Sequence, residues 1–299
     1  MSRWSNDWLG EGIGIGVGTR EVAVGPRVAR WPGSRRAASE PEVRLVSMQN
    51  EQCYTEHGVF DALRAAFETE PDKEEAASAK SGRSQTRSAH IVLDDFWGNH
   101  AVLRGDFRAL RAREIDEVAH AHFADTYGVD AQAISVRVCV QRGGRAAFAS
   151  ALPRTLVDGV RDAGASAGVE VRALKLCLPE MLNRALDTSQ QPDTMLIFAA
   201  DELLQAVLIQ AGRWAGYDAQ RLFPDDARDP GRIAALAEQA FEHCAERTNA
   251  TREACALALH GIDVDPAPLE ARFASVSVYA SSSREAADNT ARRLLEYAQ

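Results

Sequence analysis

The sequence predicts an α/β protein of two similar halves, each a strand meander followed by helices. Two observations carry this. Period-two apolar runs alternate with 3.6-period runs along the whole chain. Strand runs joined by short turns read as antiparallel hairpins, and these are mixed among strand–helix units. No short-period repeat of solenoid type is present. A chain of 299 residues suits about two domains. We place the first half at 1–168 and the second at 169–299.

In the first half, Gly12-Ile13-Gly14-Ile15-Gly16-Val17-Gly18 puts Ile13, Ile15 and Val17 on one face and bare backbone on the other. Thr19-Arg20 turns it into Glu21-Val22-Ala23-Val24, and Val43 to Met48 gives a third strand. Val59, Phe60, Leu63, Ala66 and Phe67 have helical spacing. Pro71 to Ser88 has no periodicity and reads as a mobile linker. His90 to Leu93 and Ala101 to Leu103 read as a hairpin with Asp94 to His100 at its tip. Ile115, Val118, Ala119, His122, Phe123 and Thr126 form one face of a helix that Gly128 stops. Ile134 to Val140 alternates, Gly143-Gly144 turns it back through Phe148, and Pro153 opens a helix running to about Gly168.

The second half starts with a strand, Val169 to Leu174, and a short helix containing Pro179 to Leu182. Leu196 to Phe198, Leu203 to Ile209 and Trp214 to Phe223 follow as strands. Asp229-Pro230 caps a helix with Ile233, Leu236, Ala237, Ala240, Phe241 and Cys244 inward. Cys255 to Leu259 and Phe273 to Tyr279 are strands, and Ser282-x-x-Glu285 is a capping box for the last helix.

Composition excludes several functions. Lys+Arg 34 against Asp+Glu 43 gives a net charge of −9, with no basic stripe, so the chain is not a nucleic-acid binder. The only lysines are Lys73, Lys80 and Lys175, which removes Schiff-base and lysine phosphate-loop chemistry. Cys53, Cys139, Cys177, Cys244 and Cys255 are odd in number and contain no C-x-x-C pair, as expected of reduced thiols in the cytoplasm. No signal peptide opens the chain, and no apolar stretch is long enough to span a bilayer, so direct membrane insertion is not expected.

Motifs for catalysis are thin. The glycine run fails G-x-G-x-x-G, because the fifth offset from Gly12, Gly14 or Gly16 is Val17, Thr19 or Glu21. His120 and His122 sit two apart on a helix and cannot share a metal. His122 reads as a hydrogen-bonded core histidine. Asp94-Asp95, Asp225-Asp226 and Asp263-x-Asp265 read as acidic turns. No catalytic residue and no metal site is assigned.

The order of elements resembles a known family. Ile13 to Val24 looks like the opening hairpin of actin-like ATPase folds. Together with His90–Leu103, Phe123–Gly128, Phe148–Pro153 and Val169–Asn183, it is similar to the cytoplasmic assembly proteins of type IV pili (PilM-like) and to the cytoplasmic domain of the type II secretion L component (GspL-like). The similar stretches are roughly 11–25 and 89–220. The resemblance implies two RNase H-like halves around a cleft. It also implies a scaffold whose partners are a bitopic inner-membrane assembly protein, a hexameric secretion ATPase, or both. Such a chain would be cytoplasmic and held at the inner membrane through those partners.

The departures imply degenerate nucleotide loops. Gly16, Gly18 and Thr19 keep the glycines and hydroxyl of the first phosphate loop but lack its carboxylate. The second loop reads Ala199-Ala200-Asp201 where the family has Asp-x-Gly, and His260-Gly261 keeps one glycine of the adenosine motif. Without metal-side carboxylates, phosphate charge has no counter-ion. We therefore expect a pseudo-ATPase with no cofactor. The alternative is an actin-fold nucleotide-binding enzyme, a weak ATPase or small-molecule kinase, using ATP and Mg²⁺ through Asp201 or Asp94.

Overall fold

A computed structural model describes residues 12–27, 43–68, 87–186, 193–200, 202–223, 226–261, 264–279 and 289–298. The expected linker at 71–88 lies outside these residues except for Arg87 and Ser88, and Asp201 and the Ser282 capping box also lie outside them.

The chain divides into two compact units, one drawn from 1–94, 155–177 and 291–299, the other from 95–154 and 178–290. The expected division was a single cut at 168/169. It falls elsewhere because the strand at Val169–Leu176, placed above in the second half, pairs in the first sheet.

Unit 1 is built on β1 (Gly12–Val17), β2 (Glu21–Pro26), β3 (Arg44–Ser47), β4 (Arg87–Leu93) and β8 (Val169–Leu176). Their order is β3-β2-β1-β4-β8. The first three are antiparallel, and β1, β4 and β8 are parallel. Helix α1 (Glu56–Phe67) is capped by Thr55, whose side chain accepts from Gly58 N, and buries Val59, Leu63, Ala66 and Phe67. Helix α3 (Arg154–Ser166) buries Leu156, Val157, Val160 and Ala163. Helix α7 (Thr290–Ala298) closes the unit.

Unit 2 repeats the order. Strands β9 (Asp193–Ala199), β10 (Leu203–Gln210), β11 (Arg213–Arg221), β12 (Ala256–His260) and β13 (Ser275–Tyr279) run β11-β10-β9-β12-β13. Again the first three are antiparallel and the last two parallel to the first. Helix α5 (Pro230–Ala245) starts as predicted, with Asp229 accepting from Gly231 N and Arg232 N. Its inward stripe of Ile233, Leu236, Ala237, Ala240, Phe241 and Cys244 joins Met195, Ile197, Leu204, Ala206, Leu208 and Leu257 in one core. A short helix, α6 (Ala267–Glu270), precedes β13, and α4 (Cys177–Leu186) follows β8.

A third sheet belongs to unit 2: β5 (Asn99–Arg104), β6 (Ile134–Val140) and β7 (Ala146–Pro153), in the order β5-β7-β6. The predicted hairpin of His90–Leu93 with Ala101–Leu103 does not form. β4 runs parallel to β1, whereas β5 pairs with β7. Fully buried Ile91 and Leu93 on one face and buried Val92 on the other suit a central parallel strand better than a half-exposed hairpin arm. The β6–β7 hairpin is as predicted, turned by Gly143 and Gly144 at φ 99° and 65°. Helix α2 (Ala112–Tyr127) ends at Gly128, φ 65°, and sets Ala119 and Phe123 on Ala101, Leu103, Ala147, Ala149 and Ala151.

Candidate functional site

The residues expected to form the remnant phosphate loop lie at the β1–β2 turn, and that turn is fastened from several sides. Gly18 N donates to Glu21 O at 2.9 Å. Thr19 is buried, and its carbonyl accepts from Tyr54 N at 3.0 Å, while the Arg20 carbonyl accepts from Met48 N at 2.8 Å. Tyr54 holds φ 64°, uncommon for a non-glycine residue. Arg20 Nε donates to the Tyr54 hydroxyl at 2.7 Å, and the guanidinium lies 5.4 Å from the ring centroid.

Gly16, and more loosely Gly14, are explained by α7. A Cβ on Gly14 would lie 3.1 Å from Leu295 Cδ1 and one on Gly18 3.8 Å from Ala291 Cβ. One on Gly16 would overlap Ala291 O and come within 2.5 Å of Leu295 N and 2.9 Å of Leu294 Cβ. The bare face of β1 is where a helix backbone lies directly on a strand backbone. Ala291, Leu294, Leu295 and Ala298 are all buried there.

In unit 2, Phe198, His260 and Tyr279 are cross-strand partners at the ends of β9, β12 and β13. Their rings stack, Phe198 to His260 at 5.0 Å and His260 to Tyr279 at 4.7 Å with planes 6° apart. His260, expected at the adenosine motif, is thus an aromatic layer. Burial holds its imidazole down at about 4, and Nε2 has no hydrogen-bond partner among the described residues.

The strongest polar cluster is one that the sequence reading missed. Asp94 and Asp95 were expected as solvated turn residues, yet both are buried. Asp95 Oδ1 accepts from His100 Nε2 at 2.8 Å and from Leu178 N at 3.1 Å. Its Oδ2 accepts from Leu178 N at 2.9 Å and Gln205 Nε2 at 3.0 Å. Tyr217 donates to Gln205 Oε1 at 3.1 Å, and His100 Nδ1 lies 2.8 Å from Ser150 Oγ. Burial first, then the Asp95 charge, pushes the Tyr217 phenol well above its ordinary value. The carboxylate thereby ties the start of α4, β5 and β10 together. The available signal was His100 and Ser150, polar residues inside otherwise apolar strand runs.

A cavity of about 570 Å³ lies between β5, β11, α2 and α5. Val118, His122, Thr126 and Tyr127 of α2 line it. Val118 and Tyr127 are 44% and 45% exposed, and His122 is half-buried, so half of the predicted apolar stripe faces this opening instead of the core. Asp218 sits opposite, held by Gln220 Nε2 at 2.9 Å and His243 Nδ1 at 3.3 Å. Arg104 seals one end, donating to the carbonyls of Ala215 and Arg247. No group of three or more His, Cys, Asp or Glu side chains is placed to hold a metal ion among the described residues.

This arrangement, two sheets of matching order with a third inserted in the chain, recurs in solved structures. A protein of unknown function with an actin-like ATPase fold from Bacteroides thetaiotaomicron matches 96% of this chain and 95% of its own, at 9% identity and TM-score 0.58. The cytoplasmic domain of EpsL, an inner-membrane component of the type II secretion system of Vibrio cholerae, matches 96% and 93%, at 10% identity and TM-score 0.48. A chain of the PilM–PilN type IV pilus biogenesis complex matches 96% and 94%, at 13% identity and TM-score 0.48. Neither protein-family models nor curated protein sequences give a match. The chain has an actin-like fold, and at these identities the likeness is one of fold.

Proposed function

We propose that this protein is a cytoplasmic scaffold of an inner-membrane assembly platform, serving a type IV pilus or a type II-like secretion system, and that it does not hydrolyse nucleotide. The observation that carries the second part is α7 on β1. Of the glycines that suggested a phosphate cradle, Gly16 is required by helix packing, and Gly18 N is spent within its own turn. The first part rests on the sequence resemblance over 11–25 and 89–220, within a fold whose two five-stranded sheets are kept whole. No helix among the described residues is long and apolar enough to cross a membrane, so on this reading attachment comes through a partner. The partner is the cytoplasmic tail of a bitopic assembly protein, a hexameric secretion ATPase, or both, and the −9 charge favours a basic partner surface.

Two measurements test this. Co-purification from the native host should recover such a tail or ATPase; recovery of neither, with pili and secretion unchanged on deletion, sinks the scaffold reading. Thermal shift with Mg-ATP should show no stabilisation. A ligand at a hundredfold its Kd adds about 2.7 kcal/mol, so a clear Mg²⁺-dependent shift would establish the nucleotide-binding alternative instead.

A further inference from the structure

We propose that Ser150 is an activated nucleophile that accepts an acyl group from an ester or thioester, with His100 as base, Asp95 as the group orienting that base and Arg137 as the cation beside the reacting carbonyl. Neither the fold nor the scaffold reading supplies this chemistry, and the proposal is independent of both.

The proton positions follow from the hydrogen bonds. The Asp95 carboxylate accepts from Gln205 Nε2 and, with both oxygens, from the single Leu178 N–H, which sets it as an ionised acceptor. His100 Nε2 must therefore carry the proton shared with Asp95. In the neutral ring, Nδ1 is then an acceptor, and the 2.8 Å contact is Ser150 O–H donating to it. Nucleophile, base and orienter are connected in the order that serine acyl transfer needs, although Ser150, in Phe148-Ala149-Ser150-Ala151-Leu152, does not lie in a G-x-S-x-G motif. The His100 side chain has no exposure and that of Asp95 only 4%, whereas Ser150 is half-buried, so the serine is the member that meets solvent.

Sheet register supplies the fourth member. His100 on β5 is directly opposite Ser150 on β7, and Ser150 is directly opposite Arg137 on β6. The three share one face, the other face being the one that packs on α2 through Ala149, Ala151 and Val136. Directly opposed residues have Cβ atoms about 5 Å apart. Arg137 is exposed and makes no hydrogen bond or ion pair among the described residues, which leaves its guanidinium for a developing oxyanion.

In the step, Ser150 Oγ bonds to the carbonyl carbon and its proton passes to His100 Nδ1. The carbonyl–sulfur or carbonyl–oxygen bond breaks, and the leaving group departs with the electron pair. The imidazolium so formed keeps the transferred proton on Nδ1, its charge balanced by Asp95 at Nε2, and because His100 is enclosed the leaving group departs unprotonated. Good leaving groups, thiolates and phenolates, are therefore the class accepted.

The probe is a fluorophosphonate, which forms a phosphorus–oxygen bond to an activated serine and expels fluoride. The folded protein should gain one adduct, mapped to Ser150 by peptide mass spectrometry and lost in urea. The adduct should be absent in Ser150→Ala. Arg137→Gln, at an exposed position that leaves the fold intact, should slow labelling about 10²-fold, as when an oxyanion donor is removed. No adduct on folded Ser150, an adduct that persists in urea or in Ser150→Ala, or a rate unchanged in Arg137→Gln overturns the proposal. Hydrolysis or single-turnover acylation by p-nitrophenyl acetate, followed by release of the phenolate, should show the same dependence on Ser150.

Discussion

Replacing Gly16 by alanine should destabilise unit 1, although alanine is ordinarily the better residue by about 0.5–1 kcal/mol inside a strand. The added methyl would meet Ala291 O, Leu295 N and Leu294 Cβ, two of them backbone atoms that no rotamer change moves aside. If α7 slides to make room, the cost is that of overpacking, about 1–3 kcal/mol. If it detaches, Leu294 and Leu295 each lose about 1.5–3 kcal/mol of burial and the two alanines about 0.8 each, a ceiling of roughly 5–8 kcal/mol. The neighbours give a graded series. Gly14→Ala meets the end of a leucine at 3.1 Å and Ala298 at ordinary contact distance and should be mild, and Gly12→Ala meets the Arg27 side chain at 3.5 Å and should be neutral or better. Urea denaturation read with amide exchange over residues 291–298 measures both terms. Gly16→Ala within about 0.5 kcal/mol of wild type, with exchange in α7 unchanged, would refute the packing account of the glycine run.

Asp95→Ala should cost about 3–5 kcal/mol by chemical denaturation, because it leaves the donors of His100, Gln205 and Leu178 N without their acceptor. Stability should fall as pH drops from about 6.5 toward 4: the unfolded His260 binds a proton in that window while the folded one, held down by burial, does not. The contribution is about 3 kcal/mol at most, and His260→Phe should flatten that part of the profile. In native protein a thiol reagent should react readily with exposed Cys139 and leave Cys244 and Cys255 untouched, since both are buried and their thiols are pushed up to about 12.

Local signals were enough for most elements. The Asp229-Pro230 cap, the Gly128 stop and the Gly143-Gly144 turn act within a few residues, and each appears where its chemistry puts it. Partner choice was less legible. The run at His90–Leu93 is apolar on both faces, and only its pairing with residues far away in sequence shows that it is central and parallel. The same limit hid the polar cluster. Asp95, His100, Ser150, Leu178 and Gln205 look unrelated in the sequence and meet only when two sheets, a helix and a turn of unit 2 are assembled. The glycine run was visible, and its bare face was read correctly, but period two cannot say whether a phosphate or a helix will cover it.

The seating of α7 on β1 also sets an order in time. Strand β1 is made before every other described strand and is completed by the last helix described. At about 5–20 residues per second, β1 therefore waits on the order of tens of seconds for the surface that covers it. Until then its glycine face is open backbone in a growing chain, while unit 2 already has every strand it needs. Any cleavage or frameshift that removes α7 would be felt first at β1.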